Sequence, residues 1–277
     1  MTFLNVINLS LGIFGLFTFL LLVVLLLTYL ERKALGRIQM RMGPMRVGFH
    51  GVLQPFADGL KLLVKEDILP AWADKKIFWL APIAVFVPSF MIWVTIPLAE
   101  DLVLQNLDMG LFYIVAFSVL SVIGLVMAGW SSGNKYATFG GLRAVAQLIS
   151  YEIPLIMAIL GVGMLVQSLR LTDIVDGNTV LVTLDGHQTI KDLAGQHILP
   201  FAIIQPLGLF IFFVAGLAEI GRTPFDIHHA ESEIVGGPLV EYSGIHWAIF
   251  FMAEYMNTFT ISILTVLLFF GGWSWPE

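Results

Sequence analysis

The sequence predicts an all-α polytopic membrane protein: six transmembrane helices plus an amphipathic surface helix in the first cytoplasmic loop. Three observations carry that prediction. Of 277 residues, 58% are hydrophobic and only 12% are charged, whereas soluble domains carry roughly 25%. Mean hydropathy is +0.88. Six stretches, near residues 4–30, 77–98, 110–130, 142–166, 199–217 and 245–272, approach or exceed the roughly 20 apolar residues that cross hydrocarbon.

The first stretch is too long for the apolar region of a cleaved signal peptide and lacks a small-residue cleavage site after it, so it reads as an anchor. The loop at 31–76 follows, holding Arg32, Lys33, Arg37, Arg41, Arg46, Lys61, Lys65, Lys75 and Lys76. With Lys135, Arg143 and Arg222 on the same side, only Arg170 and Lys191 of the 14 basic residues are left opposite. Basic residues mark cytoplasmic loops, so 31–76, 131–141 and 218–244 are expected inside, and both termini outside.

Within the first loop, at 52–65, Leu53, Phe56, Leu60 and Leu63 recur at steps of three and four. Gln54, Asp58, Lys61 and Lys65 fall on the opposite face. Pro55 suits a first helical turn. The segment is either a surface anchor or the wall of a cavity shared with a soluble partner. Its lead-in, GRIQMRMGPMRVGFHG, favours the second: Arg37, Arg41 and Arg46 exceed what anchoring needs, and the glycines permit close backbone approach.

The loop at 167–198 is expected outside, with VLVTLDGHQTI forming a short hairpin around Asp185–Gly186. Pro206 interrupts the fifth span and Pro154 the fourth; such prolines either kink helices for packing or open them to water. The sixth is one tilted helix or two short ones, with Glu254, Asn257, Thr258 and Thr260 at its centre. The two halves show no repeat of the transporter kind.

Several chemistries are excluded. Net charge is −6 and no basic cluster is interleaved with aromatics, which argues against nucleic acid. With no cysteine, there is no disulfide, thiolate-held iron–sulfur cluster or zinc finger on this chain. The six histidines fall in loops or at a helix edge, where they cannot face each other across a haem. Gly161 and Gly163 have Val166 where a dinucleotide fingerprint needs a third glycine. No redox cofactor is expected to bind directly.

Acids are the chemical signal. Glu152 and Glu254 each lie ten residues into a span, about 15 Å deep. An ionised carboxylate there costs at least about 2.5–3.5 kcal/mol, and neither span holds a basic residue at that depth. Both are therefore expected to face the bundle interior, as members of a proton path or as neutral acids satisfied by helix carbonyls. The loop at 218–244 continues the series with Glu219, Asp226, Glu231, Glu233 and Glu241 against a single Arg222. His228 and His229 make a poor metal site, since adjacent helical side chains point about 100° apart. The residues together describe a proton-handling membrane subunit with a cytoplasmic partner.

These segments resemble a known family. ERKALGRIQMRMGP (from Glu31), LQPFADGLKLLVKED (from Leu53), GWSSGNKYATFGGLRAVAQLISYEIPL (from Gly129), QPLGLFIFFVAGLAE (from Gln205), RTPFD with AESEIVGGPLVEYSG, and FFMAEYMN run in family order across nearly the whole chain. They are similar to the quinone-site membrane subunit of respiratory complex I, the proton-translocating NADH:quinone oxidoreductase. SYEIPL resembles bacterial members, which implies a bacterial plasma (inner) membrane.

The resemblance implies quinone as substrate, with NADH, FMN and iron–sulfur clusters on partner subunits. It implies as partners the other complex I membrane subunits and the quinone-site subunits of the peripheral arm. Carried over by position, Glu31, Arg32, Arg41, Asp58, Lys61 and Phe225 line the quinone tunnel or its mouth. Glu152, Glu219, Asp226, Glu231, Glu233, Glu241 and Glu254 form the acidic channel that couples quinone reduction to proton translocation, and Arg222 is a counter-charge for the loop.

Two departures stand out. After Pro224-Phe225-Asp226 the chain reads Ile227-His228-His229, so a carboxylate of the channel mouth is replaced by His229, whose unperturbed pKa is about 6.5. The sequence ends at GGWSWPE, where the family continues through two more membrane helices with a basic loop between them. Two other readings remain: the related membrane subunit of an energy-converting hydrogenase or ferredoxin- or F420-linked complex, and a stand-alone proton-coupled transporter.

Overall fold

A computed structural model describes residues 3–100, 102–177, 200–227 and 231–273, with side chains omitted at 3–9, Glu231 and Ser232. Helix α1 (Phe3–Ile38) is 36 residues long, or about 54 Å against a hydrocarbon thickness of about 30 Å. The sequence places a loop from residue 31, but Glu-Arg-Lys-Ala-Leu are strong helix formers and carry α1 beyond the apolar run. A 3-10 turn at Phe49–Gly51 leads to α2 (Gln54–Val64), which starts with Pro55 in its first turn. Gly51 takes φ +82, and a Cβ there would lie 2.2 Å from the Pro44 carbonyl oxygen, so only glycine fits this return.

Helix α3 (Lys75–Met91) is capped by Asp74, which accepts from the Lys76 amide at 3.3 Å, and extends as a 3-10 turn at Ile92–Val94. Pro82 within it has no N–H to offer the Phe78 carbonyl one turn back. That carbonyl instead accepts from the Tyr242 hydroxyl at 3.3 Å, and the two rings stack with centroids 4.0 Å apart. Burial pushes the Tyr242 phenol up to about 12, with the Ser131 hydroxyl opposing, so it remains a neutral donor.

Helices α4 (Gly110–Ser131) and α5 (Lys135–Val166) are joined by three residues, so most of the predicted 131–141 loop is helical. Helix α6 (Leu171–Gly177) lies in the stretch expected as an external loop. The hairpin expected at 180–190 falls outside the described residues. The fifth apolar stretch is not continuous. Gln205 leaves helical geometry (φ −127, ψ 59) because a residue before proline is pushed from the α region. This yields α7 (Phe201–Ile204) and α8 (Pro206–Ile220). After α9 (Glu231–Ile234), α10 (Gly244–Phe269) is a single helix, which answers the choice between one tilted helix and two short ones.

The protein is thus all-helical among the described residues, with five helices long and apolar enough to cross a membrane and α8 a shorter apolar one. Helices α3, α4, α5 and α8 pack each against the next, and α10 closes the ring against α3 and α8. Helix α1 stands outside, leaning on α10 and α2. One core joins Leu20, Trp93, Ile159, Phe212, Met256 and Phe269; a smaller one gathers Phe78, Ala128, Tyr242 and Phe250. Large outward-facing apolar side chains such as Phe14, Phe112, Met157 and Leu207 are exposed, as hydrocarbon surroundings require.

Close approach inside the bundle depends on glycine. A Cβ on Gly140 would lie 2.5 Å from the Gly237 Cα and 2.7 Å from its carbonyl carbon. Backbone cannot yield as a side chain does, so Gly140→Ala should destabilise the detergent-purified protein by about 1–3 kcal/mol. A lower thermal midpoint is the expected reading; an unchanged one would contradict this packing.

Candidate functional site

The chain leaves α8 through Gly221, whose left-handed conformation (φ 72) lets the Gly221 amide reach Ala218 O and the Arg222 amide reach Leu217 O, both at 3.2 Å. This turn aims Arg222 between α1 and α10. Its Nη1 donates to Glu31 Oε1 at 3.0 Å, and Nη2 lies 3.2 Å from Glu254 Oε1. The guanidinium also sits over the Tyr255 ring, 5.0 Å from its centroid. The Tyr255 hydroxyl donates to Glu31 Oε2 at 2.5 Å. One cation and two carboxylates, closed by a phenol, therefore join α1, the segment after α8, and α10. Burial works against the charge on Arg222, but Glu254, Tyr255 and Glu31 outweigh it and hold its pKa above the ordinary arginine value.

Next to Glu31 on α1, Arg32 pairs with Asp58 of α2. Asp58 also accepts from Gln54 Nε2 at 3.2 Å and lies 4.0 Å from Lys61. Burial alone would raise the Asp58 pKa; Arg32, Gln54 and Lys61 together bring it below the usual carboxylate range. The apolar side chains Leu53, Phe56, Leu60 and Leu63 of this segment remain exposed on the other face. Four of the six residues predicted at a quinone mouth, Glu31, Arg32, Asp58 and Lys61, are thus assembled by α1 and α2. Arg41 is apart from them on the following loop, bonded to Gln39 at 2.7 Å. Phe225 packs edge-on to Tyr151 at 5.4 Å.

The predicted acids form three groups. Glu254 and Asp226 line an open pocket of about 380 Å³ with Arg222, Gly236 and Trp247. Glu233 and Glu241 are tethered: Glu233 lies 2.5 Å from Arg143, and Glu241 accepts from Asn134 Nδ2 at 2.6 Å. Glu152 and Glu219 meet at the centre of the ring, in a cavity of about 40 Å³ shared with Ser118, Ser121 and Asn257. Glu152 Oε1 accepts from Ser118 at 3.3 Å. Glu219 Oε2 is buried with no hydrogen-bond partner among the described residues. The Glu231 side chain and His228–His229 lie outside the description.

Arg222, expected as a counter-charge for its own loop, instead takes its partners from α1 and α10. Tyr255 was not selected from the sequence, although it follows Glu254 directly. Nor was Gln147, whose Nε2 reaches Ala218 O at 2.7 Å and Phe225 O at 2.6 Å and so straps the loop to α5. A glutamine inside the apolar α5 was the available signal. Another cavity, about 1040 Å³ between α1, α10 and residues 93–104, is lined by Gly12, Leu16, Trp93, Phe259 and other groups that cannot carry a proton.

The model of a family described as NADH dehydrogenase matches residues 11–277. The NADH-quinone oxidoreductase H subunit of Dehalococcoides mccartyi (strain CBDB1) is 45% identical over 261 residues, covering 94% of this chain and 69% of the relative. The second such H subunit of Rhizobium meliloti (strain 1021) is 46% identical over 264 residues, covering 92% and 75%. The NADH-quinone oxidoreductase H subunit of Geobacillus kaustophilus (strain HTA426) is 47% identical over 265 residues, covering 94% and 74%.

Removing the shared cation leaves two carboxylates facing each other. Arg222→Met should destabilise the purified protein by about 1–2 kcal/mol, below the 3–5 seen for fully buried pairs because these groups are roughly one-third exposed. Adding Glu254→Gln should recover part of that loss. Strict additivity in this double-mutant cycle would contradict the shared pairing.

Proposed function

This chain belongs to the NADH dehydrogenase family, and we propose that it acts as the quinone-site membrane subunit of a proton-pumping NADH:quinone oxidoreductase, forming the quinone access tunnel and part of the acidic channel. The observation that carries this reading is the Arg222 guanidinium held between Glu31 and Glu254. One carboxylate belongs to the expected quinone mouth and the other to the expected proton path.

In this reading α7 and α8 together make a sixth crossing, and α2 lies at the cytoplasmic surface with its exposed apolar face in the bilayer. The segments at 31–76, 131–141 and 218–244 face the cytoplasm and 167–198 the exterior, in a bacterial plasma membrane. The start of α1 and the end of α10 lie on the external side. Partners are the other membrane subunits and the peripheral-arm subunits that complete the quinone site. Those partners carry FMN and iron–sulfur clusters, which deliver two electrons from NADH to the quinone.

The quinone takes up two protons with those electrons to become the quinol. Arg32, Asp58, Lys61 and Glu31 set the charge around its path, with Phe225 and Arg41 further along the mouth. When charge or protonation changes at Glu31, the pull on Arg222 changes, and with it the field at Glu254. A proton then moves along Asp226, Glu254, Glu219 and Glu152, with Glu231, Glu233, Glu241 and His229 at the cytoplasmic opening. Like charges around one cation are the kind of arrangement that makes proton affinity depend on a neighbour's state. The relatives reported above are all named for NADH and quinone, which favours this reading over a hydrogenase-linked one.

In the intact complex reconstituted in proteoliposomes, Glu254→Gln and Glu152→Gln should each slow quinone-coupled proton translocation at least about tenfold, as expected when a proton-transferring side chain is removed. Wild-type translocation in both variants would overturn the proton-path assignment.

A further inference from the structure

We infer that Asn257, with Ser118 and Ser121, holds water that bridges Glu152 to Glu219 at the centre of the helix ring, making Asn257 a positioning residue for proton passage. The inference rests on the acid-path reading above and supplies the device that joins its two innermost members.

Two adjoining cavities carry it. Both are lined by Ser118, Ser121, Glu219 and Asn257. The first, about 40 Å³, also touches Glu152; the second, about 30 Å³, continues toward Ser89 and Thr260. A buried water needs about 10–15 Å³ and two to four polar partners, so the first cavity has room for two or three. The partners are present and open. Glu219 Oε2 is buried and unpartnered among the described residues. The Ser118 hydroxyl lies 2.9 Å from Val115 O and 3.3 Å from Glu152 Oε1, and its single proton serves one of them at a time. The Ser121 hydroxyl donates to Ser118 O at 2.7 Å, which leaves its oxygen able to accept. The Asn257 side chain makes no hydrogen bond among the described residues, while its carboxamide offers two donors and an acceptor.

Glu152 and Glu219 do not bond directly, and no lysine or arginine lines either cavity. The step is a relay. The carboxyl O–H of one glutamate gives its proton to water as water gives another to the second glutamate, so one O–H bond breaks at the first acid, one forms at the second, and water breaks one and forms one. Asn257 keeps that water oriented toward Glu219.

The test uses the intact complex in proteoliposomes, driven by NADH and a short-chain quinone. Asn257→Leu occupies similar space without a polar atom, and Asn257→Ser retains a donor and acceptor with room for water. Translocation should fall at least about tenfold in the first and stay within about twofold of wild type in the second. Unchanged translocation in Asn257→Leu, or equal losses in both, would overturn the water bridge. If Asn257→Leu fails to assemble, Ser121→Ala is measured instead: slowed translocation supports the bridge and an unchanged rate overturns it. Glu219→Gln separates the two levels. Loss there with normal Asn257→Leu sinks only the bridge, whereas normal translocation in Glu219→Gln sinks the acid path beneath it.

Discussion

The guanidinium of Arg222 is the constraint on which the rest of the site depends. It is the only point where α1, otherwise outside the helix ring, is tied to the segment after α8 and to α10 by charge among the described residues. Three local features hold it there. Gly221 turns the chain out of α8, Gln147 straps the following residues to α5, and the Tyr255 phenol occupies the second oxygen of Glu31. A partly buried cluster of this kind contributes little net stability beyond what an apolar replacement would give. Its value lies in making two carboxylates sense one cation.

The ring interior explains why polar groups can persist in a chain this apolar. Prolines and glycines free or expose backbone where side chains then use it: Pro82 releases the Phe78 carbonyl to Tyr242, and Gly140 allows Gly237 to approach α5. Serines on α4 face the centre and satisfy helix carbonyls while leaving lone pairs toward the cavity. Glu152 and Glu219 therefore share a small polar cavity enclosed by helices, away from hydrocarbon.

Much of this was legible in the sequence. Apolar length located five long helices, and depth pointed Glu152 toward the bundle interior, because a lipid-facing carboxylate is too costly; Glu254, expected beside it, instead lines an open pocket and pairs with Arg222. What was not legible follows from particular residues. The reach of α1 past residue 30 was hidden by its charged tail, which reads as a loop only if helix propensity is ignored. The break at Gln205 was visible as Pro206, but proline alone does not say whether a span kinks or ends. The partners of Arg222 lie 191 residues away at Glu31 and on α10 at Glu254, and no spacing rule links them. Tyr255 went unselected because a tyrosine on an apolar helix usually packs; the 2.5 Å bond to Glu31 and the Arg222 guanidinium over its ring distinguish it.

Coupling of Glu31 to Glu254 through Arg222 is the central proposal. The most direct measurement is the number of protons translocated per NADH oxidised by the assembled complex carrying Arg222→Gln. The expected result is a lower ratio while NADH-driven quinone reduction continues, because Glu31 and Glu254 no longer share a cation. An unchanged ratio, at whatever turnover rate, would contradict it.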